Sequence, residues 1–206
     1  MIIRAEGIID IRNDSPREGD VFFVDTNVWF WLTYDRASSG DSKPLVYQIT
    51  DYPNYIDASL VIGAKMYRSG LSLPEIAHQI ERVEREIFNR SNEKDIRTKE
   101  FRKNYPAERQ KVVEEIEISW EQIKQLGIAL ENEVINETTT DQALLRLKNE
   151  FIDGYDLFLL EFAMGYGIKN IISDDSDLAS VPGIYLYTAN ENVINEAEKQ
   201  NKLIVR

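Results

Sequence analysis

The sequence of 206 residues contains no cysteine and only one histidine. The absence of cysteine excludes disulfide bridges, zinc sites built on thiolates and cysteine nucleophiles. No apolar run approaches the roughly 18 residues of a membrane span, and the N-terminal segment lacks the small-residue cleavage site of a secretory signal. We therefore expect a cytoplasmic protein with no membrane partner, whose chemistry depends on oxygen and nitrogen groups.

Positive charge is also scarce. The chain has 24 Lys and Arg residues and 36 Asp and Glu residues, which gives a net charge of -12. Proteins that coat nucleic acids normally present a basic surface, so any contact with nucleic acid should be local. The chain is 43% hydrophobic and long enough to bury one sizeable core. We expect a single domain over residues 1–206.

The order of the hydrophobic segments predicts an α/β fold. Residues 21–24 are typical of a buried strand, and the apolar segment 27–32 that follows predicts a buried helix. A helix is also predicted over residues 55–70, closed by Gly70, with amphipathic helices from Ser72 to about Leu130. Further strands are expected within residues 7–11, 170–173, 183–187 and 203–205, and a further helix within residues 153–167. This order fits a three-layer domain with a mostly parallel central sheet, in which residues 71–150 form a mainly helical insertion.

Acidic residues follow two of these strands directly. Asp25 ends the first strand, and Asp174, Asp175 and Asp177 follow the strand near residue 172. Asp156 lies in the first turn of a helix, where the helix dipole favours an anion. Because ligands of parallel sheets gather at the carboxyl ends of the strands, we expect these acids to converge.

Each acid also has a simpler interpretation. Asp25 could cap the helix that follows it, and the segment SDDSD could be a solvated turn. Clustering is harder to explain without a ligand, because two carboxylates ~4 Å apart repel by roughly 4 kcal/mol at an effective dielectric constant near 20. A cluster of hard oxygen ligands without cysteine indicates Mg²⁺ or Mn²⁺.

Three segments resemble motifs of the PIN-domain nucleases. The segment VFFVDTNVWFWL is similar to the opening motif of that family, and GYDLFLLEFA resembles its third-acid helix, with Asp156 in the acidic position. The segment IISDDSDL resembles the last motif, with Ser173, Asp175 and Asp177 in the matching positions. The resemblance covers residues 21–35 and 150–180 well and the middle of the chain poorly.

The resemblance implies metal-dependent hydrolysis of phosphodiester bonds. Under it, Asp25, Asp156 and Asp175 are the expected ligands of Mg²⁺ or Mn²⁺, and Asp177 joins them as a catalytic acid. Supporting roles are expected for Asn27, Ser173 and Asp174, which would orient carboxylates or water.

The second acid of the family pattern is not found where we expect it. That acid normally lies in a helix that reads SxLxxxE, and the segment most like this pattern is DASLVIGAKMYRSG. Gly63, Ala64 and Lys65 occupy the expected position. The second ligand could come from elsewhere in the chain, with Asp57, Glu81 and Glu84 as candidates. Alternatively, the metal site could have fewer protein ligands than is usual in the family.

The middle of the chain contains a local basic segment. The segment from Arg90 to Lys111 contains eight Lys or Arg residues and four acidic residues, and Phe101 and Tyr105 lie among them. This composition suits phosphate contact and base stacking on single strands, and Arg97, Arg102, Lys103 and Tyr105 are the expected contacts. A solvated helical hairpin is the alternative interpretation.

Three functional hypotheses follow. The first is a ribonuclease acting on single-stranded RNA, with DNA left open, that could be the toxin of a toxin–antitoxin pair with an antitoxin partner. The second is a catalytically inactive RNA- or protein-binding module, motivated by the missing acid. The third is a haloacid-dehalogenase-like phosphatase, which VDTNV disfavours because it lacks a second Asp two positions after the first. Homodimer formation is left open.

Overall fold

Six strands form one sheet in the computed structural model, which describes residues 1–206. They are β1 Gly7–Asp10, β2 Val21–Val24, β3 Lys65–Arg68, β4 Ile128–Ala129, β5 Asn170–Ile172 and β6 Tyr185–Thr188. Their order across the sheet is β1-β6-β5-β2-β3-β4, and all neighbouring strands are parallel. The predicted α/β fold with a parallel sheet is confirmed.

Eight helices surround this sheet, and none is long and apolar enough to cross a membrane. Short 3₁₀ turns cover Ala37–Ser39 and Ser176–Ser180. The helices are α1 Thr26–Thr33, α2 Val46–Val61, α3 Ser72–Asn92, α4 Thr98–Asn104, α5 Pro106–Leu126, α6 Glu137–Asn149, α7 Asp156–Gly165 and α8 Glu191–Lys199.

The strands bury both of their faces, because successive side chains of a strand point in opposite directions. Phe22 and Val24 pack in one core with helices α1, α2, α3 and α5, whereas Phe23 packs in a second core with α6, α7 and α8. In β5 the same alternation separates Ile172 from Ile171. The sheet is therefore the middle of three layers.

The predicted helix over residues 55–70 is correct as far as Val61 and wrong beyond it. Helix α2 ends at Val61, and Gly63 has φ +84°, a left-handed conformation that suits glycine. Residues 65–68 then form β3, which pairs with β2 and buries Met66. Four residues are too few to show a strand period, and Ala64, Lys65 and Met66 are all compatible with a helix. The predicted strand 203–205 is also wrong, because only Leu203 forms a single bridge, to Ile8.

The helices within residues 71–150 contribute to the main packing of the domain. Both α3 and α5 contact α1, and Ile76, Val112 and Ile123 lie in the same core as Trp29. Strand β4 extends the sheet beside β3. Residues that the sequence motifs describe poorly thus help to position α1 and α3 at the edge of the sheet where the acids lie.

Candidate active site

Four acidic side chains from four separate elements influence one another electrostatically. Asp25 follows β2, Asp175 follows β5, Asp156 is the first residue of α7, and Glu75 lies in the first turn of α3. Asp25 and Glu75 both raise the pKa of Asp156, and Asp175 raises the pKa of the other three. The carboxyl ends of parallel strands β2 and β5 bring these groups to one edge of the sheet.

Asp25 is buried and does not cap helix α1. Its side chain is 6% exposed and makes no capping hydrogen bond. Instead, the Ser173 hydroxyl donates to Asp25 Oδ2 at 2.6 Å. Burial raises the pKa of Asp25, the Ser173 hydrogen bond lowers it, and the charges of Glu75 and Asp175 raise it further. The capping interpretation of Asp25 is therefore wrong.

Asp156 has the same electrostatic environment. Burial is the largest cause that raises its pKa, and the charges of Asp25, Glu75, Asp175 and the exposed Asp153 add to that increase. The positive end of the α7 dipole favours an anion at this position. The arrangement is costly for carboxylates alone, and a cation would offset that cost.

Ser173 links the ends of β2 and β5. It donates to Asp25, and its Oγ accepts a hydrogen bond from the backbone N–H of Asp175 at 2.9 Å. Asp175 Oδ1 in turn accepts from the backbone N–H of Asp177 at 2.8 Å. Asp177 itself is exposed and borders the site rather than lining its buried part.

Asp174 and Asn27 make contacts outside the acidic cluster. The Asp174 carboxylate accepts from Tyr47, Gln48 and Tyr52, at 3.1, 2.5 and 2.8 Å, so it holds α2 against the end of β5. Asn27 Oδ1 accepts from Gln79 Nε2 at 2.9 Å, which joins α1 to α3. Both residues stabilise the elements that carry the acids, and neither hydrogen-bonds a carboxylate of the cluster.

Glu75 supplies the carboxylate that the sequence analysis did not find. Residues 69–75 read SGLSLPE, so Ser69, Leu71 and Glu75 fit the spacing SxLxxxE. The pattern was placed too early in the chain because β3 had been read as part of a helix. The spacing itself was the signal that could have identified Glu75.

The other candidates for the second acid have different contacts. Asp57 is exposed on α2. Glu81 pairs with Arg102 and Arg109, and Glu84 accepts from Tyr34 and pairs with Arg36. The charges of Glu81 and Glu84 are thus compensated inside the protein, which leaves Glu75 as the acid that faces the cluster.

The contacts of Glu75 suit a bound cation. Burial raises its pKa, a hydrogen bond with Thr26 lowers it, and Asp175 raises it. Glu75 Oε2 is buried and has no hydrogen-bond partner. No three acidic side chains converge tightly enough to form a ready-made cage for a metal ion. This looser arrangement is compatible with Mg²⁺, which usually keeps several waters and binds through one or two carboxylates and the phosphates of a substrate.

Residues 22–184 match the PIN domain family. The chain belongs to the PIN-domain family. PIN domains are typically metal-dependent nucleases and generally use a divalent metal ion. The match includes the segment around Glu75, where our sequence motifs had left a gap.

Two other comparisons add little to this family assignment. No curated protein matches the sequence. A chain from the crystal structure of VapBC2 from Rickettsia felis bound to a DNA fragment from their promoter has 11% sequence identity and a TM-score of 0.46, over 82% of this PIN-domain chain and 98% of that chain. The assignment depends on the family match and not on this distant likeness.

The four predicted nucleic-acid contacts differ in their availability. Arg97 and Lys103 are exposed. Arg102 pairs with the buried Glu81 and lines a groove of about 610 Å³ that also contains Glu75, His78, Arg109 and Tyr155. Tyr105 is half-buried and packs on Phe88, with Lys94 over its ring. Their role in binding nucleic acid remains a prediction.

Proposed function

We propose that this PIN domain is a metal-dependent endonuclease that cleaves single-stranded RNA. The observation that supports this proposal is the set of four carboxylates at one edge of the sheet, from Asp25, Glu75, Asp156 and Asp175. Burial raises the pKa of all four, and the charges of other cluster members raise the pKa of Asp25, Glu75 and Asp156 further. A structural role alone would not require four acids to be placed against one another.

The residues present fit a divalent cation, which Asp25, Glu75, Asp156 and Asp175 would hold directly or through water. When bound, such an ion activates a water molecule and neutralises charge that develops on the phosphate. Ser173 orients the Asp25 carboxylate through its hydrogen bond to Oδ2. Carboxyl groups with raised pKa values must release their protons before they coordinate an ion, so metal affinity should increase with pH.

The hypothesis of an inactive binding module has lost its main support. It was motivated by the apparent absence of a second acid, and Glu75 provides a carboxylate at the cluster. Binding without cleavage is therefore kept as one outcome of the experiment below. The preference for RNA over DNA follows from the resemblance to the family and is tested in the same way.

The experiment incubates purified protein with single-stranded RNA and single-stranded DNA, in Mg²⁺ or Mn²⁺ and in EDTA. We expect cleavage of RNA in excess over DNA, complete loss in EDTA, and a decrease of at least about 100-fold for Asp25→Asn and Asp156→Asn. Asp57→Asn is the matched control, because this carboxylate is exposed on α2 and should leave cleavage unchanged. RNA binding by the wild type without cleavage in either metal would favour the binding module.

A toxin role is a narrower proposal that depends on family membership alone. It predicts that expression of the chain arrests growth of a bacterial host, and that a small protein encoded beside it binds the chain and restores growth. The Asp25→Asn variant should be harmless under the same conditions. Unimpaired growth with active wild-type protein would contradict the toxin role while leaving the nuclease proposal intact.

A further inference from the structure

A second groove beside the acids is lined by positive and amide groups and by no acid. We call it the Arg82 groove; it has a volume of about 230 Å³ and lies between α1, α3 and the loop that precedes α2. Its polar and aromatic lining includes Asn27, Trp31, Lys43, Gln48, Gln79 and Arg82. An acid-free groove is notable in a chain with a net charge of -12.

The two cations of this groove have no acidic partner. Arg82 and Lys43 take part in no ion pair within 4.0 Å, in contrast with Arg36, Arg90 and Arg102 nearby. Arg82 Nε is also buried and makes no hydrogen bond. Arg82 lines the groove without an acidic partner, so the terminal nitrogens of its guanidinium are available to an anionic ligand there.

The groove adjoins the acidic cluster through two residues. Asn27 follows Asp25 by two positions, and Gln79 lies one helical turn after Glu75 on α3. The hydrogen bond from Gln79 to Asn27 fixes these two walls to each other. A strand whose phosphate lies at the acids could therefore continue into the Arg82 groove.

Trp31 gives the groove an aromatic surface. Its ring is half-buried and packs at 5.5 Å from the ring of Tyr52. Nucleobases stack on such rings with little dependence on sequence. The hydrogen bond between Gln79 and Asn27 uses Gln79 Nε2 and Asn27 Oδ1, which leaves the other amide atom of each residue available to a base edge.

We infer that the Arg82 groove binds one nucleotide of the single-stranded substrate next to the cleaved phosphate, with the phosphate on Arg82 and Lys43 and the base on Trp31. This inference rests on the proposed nuclease function. The Arg82 groove is separate from the nucleic-acid contacts predicted around α4. There, Arg102 is already paired with Glu81, and Lys94 lies over the ring of Tyr105.

The test measures equilibrium binding of a fluorescent single-stranded RNA in EDTA, so that no cleavage occurs. Arg82→Gln should raise the dissociation constant on the order of tenfold and should reduce the slope of log K against log salt by about 0.7, the value for one phosphate contact on a single strand. Arg17→Gln is the matched control. It removes the same charge from an exposed side chain in the loop that enters β2, at the opposite edge of the sheet.

A second readout does not depend on affinity. RNA should quench tryptophan fluorescence of the wild type, and Trp31→Phe should remove that quenching while Trp120→Phe, at the Arg68 contact on α5, should retain it. The inference would be overturned by wild-type affinity in Arg82→Gln, by equal weakening in Arg17→Gln, or by no RNA binding at all. Cleavage that does not depend on Arg82 would contradict nucleotide binding in the Arg82 groove and leave the nuclease proposal intact. Arg82-dependent RNA binding without cleavage would support nucleotide binding in the groove and contradict the nuclease proposal.

Discussion

At the scale of single residues, the site depends on four carboxylates, from Asp25, Glu75, Asp156 and Asp175, that lie at one edge of the sheet, where their charges raise the pKa of the first three. Asp25, Asp156 and Asp175 could be predicted because each follows a strand or begins a helix within a recognisable motif. Glu75 could not be placed while residues 65–68 were read as helix, although its spacing from Ser69 matched the pattern. The pairing of Glu81 with Arg102 and Arg109 joins residues about 20 to 30 positions apart, which composition alone does not reveal.

Glu75 and Glu81, both on α3, should respond differently to the same substitution. Glu75→Gln should change the free energy of unfolding in EDTA by no more than about 1 kcal/mol, because it removes a charge that other acids repel. Glu81→Gln should lower it by about 1–3 kcal/mol, because Arg102 and Arg109 lose the carboxylate between them. Urea unfolding of both variants measures this difference. A larger loss for Glu75→Gln would mean that Glu75 is mainly a structural residue.

The acidic cluster should make the metal-free protein less stable as pH rises. Burial, followed by the neighbouring acids, raises the pKa of Asp25 to about 7 and that of Asp156 to about 9. Between the ordinary carboxyl range and these values the folded state binds more protons than the unfolded state, so the free energy of unfolding falls with increasing pH. Asp14 acts in the opposite sense at lower pH, because Arg206 and Tyr55 lower its pKa despite burial.

Thermal unfolding in EDTA across this pH range tests that expectation. Excess Mg²⁺ should restore stability, and more so at high pH, because the ion compensates the charges that appear there. Asp25→Asn should flatten the pH dependence. Stability that rises from pH 6 to pH 9 in EDTA would contradict the electrostatic description of the site.

At the scale of elements, short segments were the hardest to predict. The order of strands and helices was sufficient for the parallel sheet, and β2, α1 and the start of α3 were predicted at their observed positions. Strand β3 was missed because it has only four residues and because the left-handed turn at Gly63 was not recognised as the end of α2. That turn is what places β3 beside β2 and thereby positions the start of α3 at the acids.

Two glycine substitutions test the importance of this turn. Gly63→Ala should lower the free energy of unfolding by about 1–2 kcal/mol, because φ is +84° there and a side chain is strained in that conformation. Gly165→Ala is the control: it lies in α7 with an open neighbourhood and no positive φ, and should be neutral or stabilising by up to about 1 kcal/mol. Equal effects in urea unfolding would show that the backbone at Gly63 adapts without strain.

At the scale of the whole molecule, the two ends of the described chain are held together by charges that the sequence does not reveal. Arg206 pairs with Asp14 and Asp20, at 2.6 and 3.0 Å, and lies over the ring of Tyr187. The Asp14 side chain is only 1% exposed. Such a pair between distant residues depends on the completed fold, which explains why it could not be predicted from sequence patterns.

Removal of Arg206 should therefore be costly. Arg206→Ala should lower the free energy of unfolding by about 3 kcal/mol, because Asp14 would remain buried without its partner. Lys199→Ala is the matched control, since its pair with Glu196 is solvent-exposed and should contribute much less to stability. A decrease of similar size for the two variants in urea unfolding would contradict the importance of the buried pair.

The central claim is that Glu75 completes a metal site with Asp25, Asp156 and Asp175, and calorimetric titration with Mn²⁺ tests it most directly. Wild type and Asp57→Asn should bind the ion with equal affinity and release protons on binding, whereas Glu75→Gln should bind it at least about tenfold more weakly. Unchanged Mn²⁺ affinity in Glu75→Gln, with the variant folded, would show that the second acid is absent from the site.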